Sequence, residues 1–170
     1  MAEKFFETDD RVASIQREWA RERPDVDVSP QGIIGRLHRV SARLTDELAV
    51  VFRDHGISAG EFDVLAALRR AGEPFERTPT ALAERTMITS GGLTKRVDRL
   101  EDAGLVQRRP SELDGRGRVV ALTAAGRALI DAAFTQHMAN EHRLVAMLDE
   151  ADRRALEHAL TRWLERLPDE

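Results

Sequence analysis

The chain has 170 residues, which suits one compact domain with terminal arms and is long enough to bury a core. It contains no cysteine, so disulfides, thiolate metal sites and thiol-based redox switches are excluded. No apolar run predicts a membrane span, and no basic region followed by an apolar run predicts a secretory signal, so we expect a cytoplasmic protein with no membrane partner.

The net charge of -4 is distributed unevenly along the chain. Residues 89–118 hold seven Lys or Arg against five Asp or Glu, whereas the remaining residues hold 19 basic and 25 acidic side chains. The placement of charge matters more for nucleic-acid binding than the total does. A weakly basic middle between acidic arms therefore fits a local DNA-binding face.

Two helices are predicted in the N-terminal arm. Residues 4–22 form a weakly amphipathic segment that ends before Pro24. Ser29 suits the N-cap of a second helix, and Pro30 suits the first helical position after it. In this helix apolar side chains recur at three- and four-residue spacing as far as Gly56, which predicts an amphipathic helix with one long apolar stripe.

The middle of the chain predicts a helix-turn-helix followed by a β-ribbon. A capping box formed by Ser58 and Glu61 opens the helix before it. Thr78 then caps a short helix, TPTALAERT, and the turn MITSGG leads into a second, LTKRVDRLEDAG. The apolar strands LVQRR and VVAL follow, joined by a polar loop with two arginines. This order is typical of a winged helix-turn-helix, which places its second helix, the recognition helix, in a major groove of DNA.

Two further helices are predicted after the wing. Thr123 caps a helix over 124–148, and Asp149 caps a last one whose apolar residues share a face. The apolar stripes of the flanking helices exceed what a small domain covers, so we expect a two-fold homodimer. The alternative is a monomer in which these helices fold back on their own domain.

The predicted fold is mainly α with a small β-wing, that is, a winged helix-turn-helix flanked by N- and C-terminal dimerisation helices. The predicted segments are an extra N-terminal helix and connector at 1–28, a dimer helix at 29–57, the winged helix-turn-helix at 58–122 and dimerisation helices at 123–170.

The recognition helix has one apolar and one polar face. On a helical wheel Leu93, Val97 and Leu100 share the side expected to face the core. The opposite side and the helix start carry small, hydroxyl and basic residues that suit phosphates and base edges. An ordinary solvated surface is the alternative, but the preceding helix and the wing favour DNA binding. The predicted DNA contacts are Thr89, Ser90, Gly91, Thr94, Lys95 and Arg99, together with Arg116 and Arg118 in the wing.

These motifs resemble those of the MarR family of bacterial transcription regulators. The run TSGGLTKRVDRLEDAGLVQR is similar to the family's recognition helix and first wing strand, and helix order matches over residues 30–167. The resemblance implies a homodimer that binds a pseudo-palindromic operator, usually represses a gene, and is released by a small molecule. The run DGRGRVVALTAAG resembles the family's wing signature through Asp114, Arg116, Leu122, Thr123 and Gly126.

A closer resemblance is to the urate-responsive branch of that family, which has an extra N-terminal helix bearing a tryptophan. It implies a ligand site formed by Trp19, Asp63, Arg96 and Arg108. Asp63 lies in a nearly all-apolar segment, where a carboxylate is costly unless paired, and Arg96 tilts toward the core side of its helix. An anionic planar ligand such as urate would compete for Arg96, stack on Trp19 and repel Asp63. The alternative is a structural Asp63–Arg96 ion pair with Trp19 in the core.

Other function classes remain as alternatives. The chain has no His-Glu-x-x-His motif, phosphate-binding glycine loop after a strand or nucleophile elbow, so no enzyme activity, metal or cofactor is predicted. A winged-helix protein-interaction module without DNA binding is the second alternative. Among regulators, the alternative effector is a phenolic or other aromatic acid bound between the dimer helices and the DNA-binding domain. The expected partners are double-stranded DNA, a second copy of the chain and a small-molecule effector.

Overall fold

The computed structural model describes residues 10–86, 90–110 and 117–168. It is mainly helical with a small antiparallel sheet, which confirms the predicted fold class. No helix in these described ranges is long and apolar enough to cross a membrane. In chain order the elements are α1 (Arg11–Glu22), α2 (Gln31–Asp54), α3 (Ala59–Arg69), β1 (Glu76–Arg77), α4 (Pro79–Glu84), α5 (Ser90–Asp102), β2 (Val106–Pro110), β3 (Arg118–Leu122), α6 (Ala124–Val145) and α7 (Glu150–Leu164).

The chain divides into two compact units, Met1–Glu47 and Leu48–Glu170. In the first unit α1 packs on the start of α2, where a Cβ added at Gly35 would lie 3.1 Å from Val12 Cγ1. Asp10 is extended and caps α1, because its carboxylate accepts the Ala13 amide at 2.9 Å. The helix therefore begins after Asp10, and residues 4–9 of the predicted segment lie outside the described residues.

An ion pair also joins the two helices of the first unit. Arg36 Nε on α2 donates to Asp10 Oδ2 at 2.7 Å. The hydrogen bond from the Ala13 amide and that from Arg36 together hold the pKa of Asp10 below its ordinary value. The same carboxylate thus caps α1 and fixes it to α2.

The core of the second unit is built around α3, which packs against α5, α6 and the sheet. The predicted capping box is confirmed: Ser58 N donates to Glu61 Oε2 at 2.8 Å and Glu61 N donates to Ser58 Oγ at 3.3 Å. The side chains of α3 are buried nearly all round, as the sequence predicts for this segment. The buried positions are Phe62, Val64, Leu65, Ala66, Ala67 and Leu68.

The sheet has three strands in the order β1-β3-β2, and both pairs are antiparallel. β1 is a two-residue strand that the sequence does not predict, because so short a segment shows no alternation of apolar and polar residues. β2 and β3 form the predicted wing, with Pro110 opposite Arg118 at its outer described end. Residues 111–116, which include Arg116, lie outside the described residues.

Two long helices complete the second unit. Thr123 caps α6 through the Gly126 amide at 3.0 Å, and Asp149 caps α7 through the Asp152 amide at 2.8 Å, which confirms both predicted caps. α6 ends at Val145, three residues before the predicted end at 148, because the backbone turns before α7. Large apolar side chains on these helices and the turn between them remain exposed, namely Phe134, Val145, Met147, Leu148, Leu156 and Leu164.

Candidate nucleic-acid interface

The recognition helix α5 lies against the core along one face. Leu93, Val97 and Leu100 are 5%, 3% and 2% exposed, which confirms the buried face predicted from the helical wheel. Thr94 and Lys95 are exposed. Burial of three apolar side chains fixes the rotation of the helix about its axis, and the polar residues consequently face solvent.

The structure describes most of the predicted DNA contacts. Thr94, Lys95 and Arg99 are brought together on the exposed side of α5, and Ser90 and Gly91 lie in its first turn. Arg118 is exposed at the start of β3. The other two predicted contacts, Thr89 and Arg116, lie outside the described residues.

An ion pair joins α5 to the start of α3. Arg99 Nε donates to Glu61 Oε1 at 2.7 Å, while the other oxygen of that carboxylate closes the capping box with Ser58. The Glu61 side chain is 13% exposed and that of Arg99 is 58% exposed. Burial raises the pKa of Glu61, but the hydrogen bonds from Arg99 and Ser58 outweigh it, so the pKa lies below its ordinary value. A single ionised carboxylate thus caps α3 and holds α5.

A second group of ion pairs joins α5 to the wing. The Arg108 guanidinium on β2 pairs with Asp98 at 2.5 Å and with Glu101, and its backbone N–H donates to Glu101 Oε1 at 2.8 Å. Partial burial lowers the pKa of Arg108, but the two carboxylates outweigh it and the pKa is raised. The hydrogen bonds from the Arg108 backbone and side chain lower the pKa of Glu101. The recognition helix and the wing are therefore coupled through one arginine.

Three residues of the predicted ligand set lie in the second unit. The Arg96 side chain turns toward α3, as predicted, and lies over Gly60: a Cβ added there would be 2.1 Å from Arg96 Nε. Asp63 is half-buried one turn further along α3. Arg108 is already paired with two carboxylates, so an anionic ligand would have to compete with them.

The fourth residue of that set, Trp19, lies on α1 in the first unit. Its side chain is 47% exposed. Trp19 is therefore not part of the buried core of the single chain.

Comparison with known proteins identifies the family. Residues 55–117 match the model of the MarR family. The chain is 40% identical over 151 residues to the HTH-type transcriptional regulator PecS of Dickeya dadantii, an alignment that covers 89% of this chain and 91% of the relative. The chain belongs to the MarR family.

Solved structures of MarR regulators share this fold. AbsC, a MarR family transcriptional regulator from Streptomyces coelicolor, superimposes with a TM-score of 0.73 at 26% identity, covering 82% of this chain and 95% of that one. A mutant of Escherichia coli MarR complexed with operator DNA gives a TM-score of 0.68 at 30% identity, covering 82% and 99%. As a member of this family, the chain is a transcription regulator and not an enzyme.

Three acidic residues of this MarR regulator hold the interface although the sequence alone does not predict that role. The sequence marks Glu61 only as part of a capping box, and it does not show which groups Asp98 and Glu101 pair with. The three-residue spacing of Asp98 and Glu101 places both on one side of α5, which is a signal that the sequence does contain. Their basic partners come from other elements, so the pairing depends on tertiary structure.

Proposed function

We propose that the chain is a repressor that binds a pseudo-palindromic operator as a homodimer and inserts α5 into the major groove of each half-site. The observation that carries this proposal is the exposed side of α5, where Thr94, Lys95 and Arg99 stand opposite a fully buried apolar face. The similarity to a MarR mutant complexed with operator DNA supports it. Lysine and arginine on such a face reach guanine acceptors or phosphates.

The ion pairs around α5 fit this role. Glu61 holds Arg99 through Nε, and the Arg99 side chain is still 58% exposed. Asp98 is the acidic residue closest in sequence to the basic side chains of Lys95 and Arg99. Its ion pair with Arg108 offsets the repulsion between its carboxylate and the DNA phosphates. The pairs also restrict the rotation of α5, which reduces the ordering that DNA binding would otherwise require.

Exposed apolar side chains support the homodimer. On α2 they are Ile33, Val40 and Leu44, at 64%, 53% and 39% exposure. Near the end of the chain Leu164 and Leu167 are 69% and 52% exposed. Large apolar side chains left exposed along a helix are expected to meet a partner, and two-fold symmetry matches the paired half-sites of an operator.

We also propose that a small anionic aromatic ligand, with urate as the first candidate, releases the protein from DNA. Asp63, Arg96 and Arg108 supply the recognition chemistry, and the participation of Trp19 is a prediction from the sequence. Because Arg108 ties β2 to α5, an anion that competes for its guanidinium would weaken that tie and change the position of α5. A phenolic or other aromatic acid is the alternative effector.

The test is fluorescence anisotropy with DNA from upstream of the protein's own gene, at several salt concentrations, with and without urate. We expect tight binding, and the logarithm of the association constant should fall steeply with the logarithm of the salt concentration, because protein contacts to phosphates release counterions. Lys95→Ala should reduce both the affinity and this slope. If a genome-wide site selection finds no specific DNA, the protein-interaction module replaces this proposal.

The ligand is tested separately from DNA binding. Asp63→Ala and Trp19→Phe should each weaken the release of DNA by urate while leaving DNA affinity near that of the unmodified protein. An unchanged response to urate in both variants would refute the site. DNA binding that ignores urate but responds to an aromatic acid would support the alternative effector.

A further inference from the structure

The Glu61 carboxylate is held at both of its oxygens. Ser58 N and Ser58 Oγ each donate to Glu61 Oε2 at 2.8 Å, and Arg99 Nε donates to Glu61 Oε1 at 2.7 Å. The Glu61 side chain is only 13% exposed, so the first turn of α3 sets its position. Arg99 of the recognition helix is therefore attached to a fixed point outside its own helix.

The hydrogen bond to Glu61 determines which part of the Arg99 guanidinium faces solvent. It uses Nε, the nitrogen nearest to the aliphatic chain, and leaves the two Nη groups at the outer end. The Arg99 side chain is 58% exposed, on the side of α5 that also carries Thr94 and Lys95. Two parallel N–H groups in one plane match the O6 and N7 acceptors of guanine.

The ion pair also changes what Arg99 offers to DNA. A guanidinium beside a carboxylate has no net charge as a pair, so its attraction to a phosphate is reduced. Its N–H donors keep their direction, and the acceptors on a guanine edge are neutral. Lys95 differs, because an ammonium is a compact charge on a flexible chain. The arrangement therefore favours a base contact from Arg99 and a phosphate contact from Lys95.

We propose that Arg99 reads one guanine in each half-site through its two Nη groups, and that Glu61 is the positioning residue for this contact. Glu61 fixes the orientation of the guanidinium and offsets its charge. It thereby raises the discrimination between bases and lowers the attraction to phosphates of any sequence. This role rests on the proposed binding of α5 in the major groove, and it adds the base that is read and the residue that sets the selectivity.

Glu61→Gln separates the two roles of this side chain. A glutamine at this position of a capping box accepts the Ser58 amide as a glutamate does, so the cap of α3 is retained. Its single oxygen is then occupied, and its amide nitrogen cannot accept from Arg99 Nε. Ser58→Ala does the reverse. It removes the hydroxyl from the cap, while Glu61 still accepts from the Ser58 backbone N–H and from Arg99, so the cap is weakened without release of Arg99.

The first measurement finds the base that Arg99 contacts. Binding sites are selected from a random duplex library by the unmodified protein and by Arg99→Ala. We expect Arg99→Ala to lose the preference for guanine at one position of each half-site and to keep the preferences at the others. A duplex with 7-deazaguanine at that position, which lacks the N7 acceptor, should bind the unmodified protein more weakly than the selected duplex does. Arg99→Ala should bind these two duplexes equally.

The second measurement tests Glu61 by fluorescence anisotropy at the same base pair. The preference for guanine should fall by about three- to tenfold in Glu61→Gln, because an unrestrained arginine must be ordered on binding. On a duplex of unrelated sequence the same variant should bind several-fold more tightly and with a steeper dependence on salt, because the Arg99 charge is no longer offset. A loss of folding stability by itself would not raise this affinity.

Two matched variants control for stability and for charge. Ser58→Ala weakens the cap of α3, and Asp102→Asn removes one negative charge from the exposed end of α5. Both should keep the guanine preference of the unmodified protein. If either lowers this preference as much as Glu61→Gln does, Glu61 acts through stability or net charge and the proposal is overturned.

Two other results would also overturn the proposal. If Arg99→Ala weakens binding equally on every sequence and lowers the dependence on salt, Arg99 contacts a phosphate and not a base. An unchanged guanine preference in Glu61→Gln would exclude Glu61 as a positioning residue. Each of these results leaves operator recognition intact, whereas a library that yields no preferred sequence contradicts operator recognition itself. Failure of this proposal is therefore distinct from failure of the proposed function.

Discussion

Gly126, in the first turn of α6, packs against the backbone of Leu105, the residue before β2. A Cβ added there would lie 1.9 Å from the Leu105 carbonyl oxygen and 2.8 Å from the carbonyl carbon. Two hydrogen bonds hold the same junction: Thr123 N donates to Leu105 O at 3.1 Å, and Thr123 Oγ1 donates to Gly104 O at 2.7 Å. Gly126→Ala therefore forces the backbone of α6 away from the backbone of Leu105.

The cost of Gly126→Ala can be estimated from these contacts. Non-bonded heavy atoms pack best at about 3.5–4.0 Å, so α6 must move by roughly 1.5 Å relative to β2. Overpacking costs about 1–3 kcal/mol, and weakening the two hydrogen bonds about 1–3 kcal/mol more. Alanine recovers about 1 kcal/mol through helix propensity. The expected loss is about 3 kcal/mol, which lowers Tm by roughly 6–12 °C for a chain of this size.

Gly60→Ala is the matched control for Gly126→Ala. A Cβ at Gly60 meets the end of the flexible Arg96 side chain, 2.1 Å from Nε, which can rotate away. The gain of about 1 kcal/mol in helix propensity offsets that rearrangement, so stability should stay within about 1 kcal/mol of the unmodified protein. Thermal and urea unfolding followed by circular dichroism measure both variants. Equal stability of the two variants would refute the argument from backbone approach.

Three more outcomes are expected. Because the pKa of Glu61 is lowered in the folded protein, its ionised carboxylate stabilises the fold at pH values above the ordinary pKa of 4.5, and this stabilisation is lost as the pH falls through the lower pKa of the folded state. Glu61→Gln should remove that part of the acid dependence, about 1 kcal/mol in urea unfolding once the exposure of Arg99 is discounted. An unchanged dependence of stability on pH in this variant would contradict the argument. Arg108→Gln should reduce operator affinity in anisotropy with a loss of about 1 kcal/mol in stability, because the wing no longer restrains α5; unchanged affinity would show that the tie is irrelevant to DNA binding. Leu164→Glu should shift the protein toward monomer in sedimentation velocity and weaken operator binding with it, whereas a dimer of unchanged stability would exclude this residue from the interface.

Local features were predictable from the sequence by itself. The caps at Ser58, Thr123 and Asp149 depend on hydrogen bonds within one helical turn, so their spacing in the chain is sufficient evidence for them. The buried face of α5 follows from the 3.6-residue period for the same reason. These local signals, with the order of helices and strands, were enough to predict a winged helix-turn-helix and the MarR resemblance.

The tertiary structure decided which charged groups meet. Glu61 and Arg99 are separated by 38 positions in the chain, and Arg108 reaches Asp98 and Glu101 only because β2 folds back beside α5. The strand β1 likewise exists only once distant segments pack together. Periodicity reports which side of an element is apolar, but the partner of a polar group depends on the arrangement of elements in space. The sequence therefore determined the kind of protein, and the packing determined how its recognition helix is held.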